Sequence, residues 1–107
     1  NYSMKNFEFS RSKFELFEKF IKYILKNSSS EIIFILTPYE YLSYMMTIKE
    51  NPNYEKSEEL FSNFAKKYGI DIIGSYNLKN TSCENSDFLD NYHPNDNCMN
   101  KLIINKF

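Results

Sequence analysis

Phe14, Phe17, Ile21, Ile24 and Leu25 recur at steps of three and four residues with charged or polar residues between them, the spacing of one helical face. Ser12 followed by Glu15 reads as a capping box, so the pattern predicts an amphipathic helix that ends near Lys26. The polar stretch 27–30 breaks that period. Residues 31–37, Glu-Ile-Ile-Phe-Ile-Leu-Thr, then form a mostly apolar run stopped by Pro38. An uninterrupted β-branched and aromatic run predicts a strand buried on both faces.

Residues 39–48 are aromatic and Met-rich without a clear period, which predicts a loop with a short helical turn. Asn51-Pro52-Asn53 supplies turn and N-cap chemistry. Leu60, Phe61, Phe64, Ala65 and Tyr68 share one face of a helix over 53–68, and Gly69 is a natural residue to end it. Residues 70–73 are a second short strand. Helix, strand, helix, strand predicts a parallel pair joined by a right-handed crossover, and hence an α/β fold. The chain then runs through polar, turn-rich sequence to Pro94, which fits the first turn of a final helix carrying Met99, Leu102 and Ile103. Two strands make a thin sheet, so further strands are expected from elsewhere. No repeat or linker divides the chain, which reads as a single α/β domain or the C-terminal part of one. Its first residue, Asn1 rather than Met, fits a processed or shortened protein.

Composition narrows the function classes. At 107 residues the chain is long enough for one modest core. With 42% apolar residues, ten Phe and nine Tyr, it has the side chains to offset the entropy of ordering. Thirteen basic against fourteen acidic residues give a net charge of −1, without the basic excess that a nucleic-acid surface needs. The longest apolar run, 32–36, is far short of the roughly 18 residues that span a bilayer, so no transmembrane segment is expected.

His93 is the chain's single histidine and Asp90 precedes it by three residues, close enough for a turn to join them. In a serine hydrolase an imidazole takes the nucleophile's proton through one nitrogen, while a carboxylate on the other nitrogen fixes its tautomer. The loop holding both residues leaves the second strand at its carboxyl end, where ligands of parallel sheets gather. By spacing alone the alternative is that Asp90 caps a turn and His93 is a surface residue.

The context of that pair carries a resemblance. Asp90-Asn91-Tyr92-His93-Pro94-Asn95, leading into a helix after the last strand, resembles the final motif block of SGNH/GDSL-type hydrolases. The strand ending in Thr37-Pro38 and the one over 70–75 also look like the last strands of that family, so the resemblance covers most of the chain from Glu31 onward. It implies the C-terminal part of a three-layer, flavodoxin-like parallel sheet lacking its N-terminal strands. It further implies Asp90 as orienting acid, His93 as general base, no cofactor, and an acyl-serine route on a small-molecule or glycan ester. The family's Gly-Asp-Ser block and its Gly and Asn oxyanion blocks are absent before Glu31, and Asn97 and Cys98 replace a glycine often found after His-Pro-Asn. The nucleophilic serine is therefore expected outside this chain, which alone should be nearly inert. Ser75, after Gly74, lacks the strained strand-turn-helix elbow of a nucleophile.

The competing reading is a non-catalytic binding or assembly module with a structural Asp90–His93 turn. Tyr39, Tyr41, Tyr44, Met45 and Met46 suit a cleft lining, but core or interface is the preferred reading of them. Open sheet edges also suit self-association or pairing with an N-terminal region. Cys83 and Cys98 bracket the motif. A disulfide between them would close a loop of about 15 residues, worth ~3 kcal/mol, and would brace the Asp90–His93 loop in a secreted or cell-envelope protein. The alternatives are two free thiols, or a zinc set of Cys83, Asp90, His93 and Cys98, whose irregular spacing disfavours it.

Overall fold

The computed structural model describes residues 10–90 and 92–104; the reading of Asn1 lies outside them. Its elements are α1 (Arg11–Asn27), β1 (Ile33–Leu36), α2 (Tyr41–Glu50), α3 (Asn53–Tyr68), β2 (Asp71–Gly74) and α4 (Asp96–Ile104), with single 3-10 turns at Leu78–Asn80 and Asn85–Asp87. β1 and β2 pair in parallel, Ile33 opposite Asp71 and Leu36 opposite Gly74. The architecture is α/β, with a small two-stranded parallel sheet.

Phe34 and Ile72, opposite each other in register, join Phe14, Phe17, Ile21, Phe64, Ala65 and Ile70 in one core, so α1 and α3 cover the same face of the sheet. The packing is largely aromatic: Phe64 meets Phe14 edge-on at 5.5 Å and Phe34 stacked at 6.0 Å. Alternation along the strands turns Ile35 and Ile73 to the other face. There Ile73 is buried, but Ile35 is 43% exposed. The expected burial of β1 on both faces therefore fails at Ile35, because the cover that α4 gives to β2 does not extend to it.

The first two helices differ from the sequence reading. The cap of α1 is Ser10, whose hydroxyl accepts from Lys13 N–H at 3.3 Å. Ser12 lies inside the helix, and Glu15 instead pairs with Arg11 one turn back at 3.6 Å. Leu25, read as part of the apolar face, is exposed. The segment read as mostly loop is the ten-residue α2. Glu40 caps it by accepting from Leu42 and Ser43 N–H, and it buries Ser43, Tyr44 and Thr47 while turning Leu42, Met45 and Met46 outward. Ser43 and Thr47 thus face in beside Tyr44 while Leu42, Met45 and Met46 face out, which hid the helical period. Met45 and Met46 are accordingly not core.

α3 spans the predicted residues and ends at Gly69, φ +66°, with the N–H of Ile70 bonding back to Ala65 at 2.8 Å. Gly74 ends β2 at φ +83°, where a Cβ would stand 2.2 Å from the Leu36 carbonyl oxygen; only glycine lets the strands pair this closely there. Among the described residues no helix is long and apolar enough to cross a membrane.

Candidate active site

Residues 87–95 fold back on themselves. Leu89 N–H donates to the His93 carbonyl at 2.9 Å and Asn95 N–H to the Asp87 carbonyl at 2.7 Å, flanking an antiparallel bridge between Phe88 and Pro94. In this arrangement the paired residues Phe88 and Pro94 contribute no N–H to the ladder, so proline fits without losing a bond. Pro94 is thus in the hairpin and not in the first turn of α4, which begins at Asp96. Asn95 caps that helix, its side-chain oxygen accepting from Cys98 N–H at 3.0 Å.

Asp90 and His93 stand at the tip of this hairpin, with Asn91 between them outside the described residues. Asp90 Oδ1 accepts the N–H groups of Tyr92 (2.7 Å) and His93 (2.9 Å), an Asx-type turn. That turn swings the imidazole over the carboxylate, with Nδ1 2.6 Å from Oδ2 and 2.8 Å from Oδ1. A carboxylate only accepts, so Nδ1 carries the proton and the Nε2 lone pair is left open. Nε2 makes no hydrogen bond among the described residues. The Tyr92 N–H first, and the His93 side chain next, hold the Asp90 carboxyl below its usual range. The side chains are 73% (His93) and 56% (Asp90) exposed, where an ion pair adds little stability. The arrangement orients a ring rather than holding the fold.

Three features tie the tip to the rest. The Tyr92 ring meets Tyr39 edge-on at 5.3 Å, and Tyr39 N–H donates to the Tyr76 carbonyl at 3.1 Å just past the ends of both strands. The hairpin tip therefore sits at the carboxyl-end edge of the sheet. Tyr39 also stacks on Tyr54, hydroxyl to hydroxyl, and burial raises the Tyr54 and Tyr76 hydroxyls, which keeps them protonated. Cys83 and Cys98 form a disulfide that joins the chain before the hairpin to α4. Its sulfurs are therefore bonded to each other, and the zinc set weighed from the sequence is not assembled.

The third feature, Asp87, was missed in the sequence. It is 4% exposed and accepts from Glu84 N–H (2.8 Å), Asn97 Nδ2 (2.9 Å) and Lys101 Nζ (2.9 Å). No local pattern marks it, because its side-chain partners Asn97 and Lys101 lie ten and fourteen residues further along the chain. Ser75 is buried and donates to both oxygens of Glu58 at 2.9 Å, while its own oxygen accepts from Asn77 N–H. Its bonds go to structure and none goes to His93. No known protein family, curated protein or solved structure matches this chain.

Proposed function

We propose that Asp90 and His93 are the acid and base of a serine-hydrolase site of SGNH/GDSL type, acting on an ester such as an O-acyl group of a glycan. The observation that carries this reading is the carboxylate-held Nδ1, which leaves Nε2 open at the sheet edge where parallel α/β proteins bind ligands. In the reaction His93 Nε2 takes the proton of a serine Oγ as that oxygen attacks the ester carbonyl, and Asp90 stabilises the imidazolium. The imidazolium then protonates the leaving alkoxide, and a water activated the same way releases the acid from the acyl-serine. The serine and the oxyanion donors come from outside these residues, on the further strands of a flavodoxin-like sheet. The disulfide supports an oxidising location, the cell envelope or outside the cell.

The test is hydrolysis of an aryl acetate by the full-length natural protein and by its His93→Ala variant at matched folding. A loss of about 10²-fold or more is expected; a variant equal to an active parent would remove His93 as the base. A second reading, a binding or assembly module, is favoured by the outward Leu42, Met45 and Met46 of α2, an apolar surface of the kind partners cover. An inert parent carrying no serine nucleophile would favour that module.

A further inference from the structure

We propose that Asp87 is a positioning residue for His93: its buried carboxylate locks the root of the hairpin to α4 and so sets where the open imidazole nitrogen points. The catalytic consequence rests on the hydrolase reading above; the positional one does not.

The tip has no core of its own. Leu89, Asp90, Tyr92 and His93 are all exposed, Leu89 by 77%, so beyond the edge contact of Tyr92 with Tyr39 apolar packing does little to fix their place and the root does the rest. At the root, Asp87 gathers donors from two directions. Glu84 N–H comes from the chain entering the hairpin, and Asn97 and Lys101 come from successive turns of α4. Its carbonyl meanwhile accepts from Asn95 N–H, where the hairpin closes. One residue thus binds the incoming strand, the outgoing strand and the following helix. From there the Phe88–Pro94 bridge and the bond from Leu89 to the His93 carbonyl lead directly to the imidazole's own backbone.

A buried ion pair is a poor device for stability alone, since apolar residues of the same volume do as well or better. What it does supply is direction, because three short bonds to one carboxylate leave few alternative placements. The disulfide clamps the same region but reaches it at Cys83, four residues before Asp87, and the short turn between them is itself closed by the reciprocal capping of Glu84 and Asp87, so the Asp87 carboxylate carries the clamp onward to the hairpin. Misplacing a base by about 1 Å is enough to cost about 10²-fold in rate.

The test reads the imidazole tautomer from ring ¹⁵N shifts at mildly alkaline pH, in the wild type, in Asp87→Ala and in Asp87→Asn. Circular dichroism and a free-thiol count establish that each is folded with its disulfide closed. The expected result is a wild-type ring protonated on Nδ1, a shift toward the Nε2-protonated form in Asp87→Ala, and an intermediate value in Asp87→Asn, which keeps an acceptor for Glu84 N–H. In a full-length parent with esterase activity, Asp87→Ala should lower kcat by about tenfold or more with KM little changed. An Asp87→Ala protein that is folded and keeps the wild-type tautomer overturns the proposal. If Asp87→Ala does not fold, the double variant Asn97→Ala with Lys101→Gln decides: an unchanged tautomer overturns the proposal and a shifted one supports it. A shifted tautomer beside an inert parent sinks the hydrolase and leaves the positioning role standing.

Discussion

The two halves of this molecule are held by different forces. Around α1, α3 and the sheet, five phenylalanine rings, Phe14, Phe17, Phe34, Phe61 and Phe64, lie within 6.4 Å of a neighbour, and fixing comes from area removed from water. The hairpin half buries a small cluster of Leu78, Leu102 and the two cysteines. It depends instead on a covalent bond, a buried carboxylate and backbone closures. Apolar packing is non-directional and tolerates small slides of one ring over another. A hydrogen bond to a carboxylate loses most of its value when misaligned. The half that carries the proposed chemistry is the one built from directional bonds, as a site that must hold an imidazole at a fixed angle requires.

The contrast breaks most sharply at Phe64. This ring is 5% exposed and touches Phe14, Phe17, Phe34 and Tyr68, so Phe64→Ala removes the hub of the apolar half. A loss of about 3–5 kcal/mol is expected, enough to unfold a small domain outright. Urea unfolding followed by circular dichroism measures it. A loss under about 1 kcal/mol would mean the ring cluster is not what holds α1 and α3 to the sheet.

Replacing Cys83 and Cys98 by serine comes next, at ~3 kcal/mol from the loop it opens. Its signature should be local before it is global. Hydrogen exchange at the Leu89 and Asn95 amides, which close the hairpin, should quicken ahead of the amides of α3. Equal acceleration everywhere would mean that the two halves unfold as one unit and that the distinction between them is only descriptive.

The same division explains what could be read from the sequence. α3 was legible because its apolar residues keep a 3.6 period and Gly69 marks its end, and the parallel pair followed from element order. α2 was not, since it buries Ser43 and Thr47 and exposes Leu42 and Met46, the reverse of the pattern that identifies a helix in water. Asp90 and His93 could be picked out because their contact is local, three residues apart within one Asx-type turn. Pro94 was misplaced because a two-sided bridge between 88 and 94 leaves no alternating pattern to detect. Asp87 was missed because its meaning depends on Lys101, fourteen residues on, and nothing local announces that a carboxylate will be buried.

The smallest effect, and the one that sharpens the comparison furthest, is the response to acid. The Glu84 N–H first, then Lys101 and Asn97, hold the Asp87 carboxyl down to about 2, against about 3.9 for an aspartate in an unfolded chain. A depressed folded value means that the unfolded chain binds the proton more readily. The contribution of Asp87 is therefore fully present above about pH 4 and is lost as pH falls through about 2. Asp90, lowered by the Tyr92 N–H and by His93, moves in the same direction. In the other half Glu18 is lowered as well, chiefly by the Tyr68 hydroxyl and then by Lys67, but it lies outside the phenylalanine cluster, whose packing does not titrate. Lowering the pH from 5 to 2 should therefore loosen the hairpin first: protection of the Leu89 and Asn95 amides falls while that of α3 persists, and Asp87→Asn removes most of this pH dependence. Should α3 lose protection at the same pH as the hairpin, the apolar half would depend on the charged one, and the separation of forces drawn here would have to be abandoned.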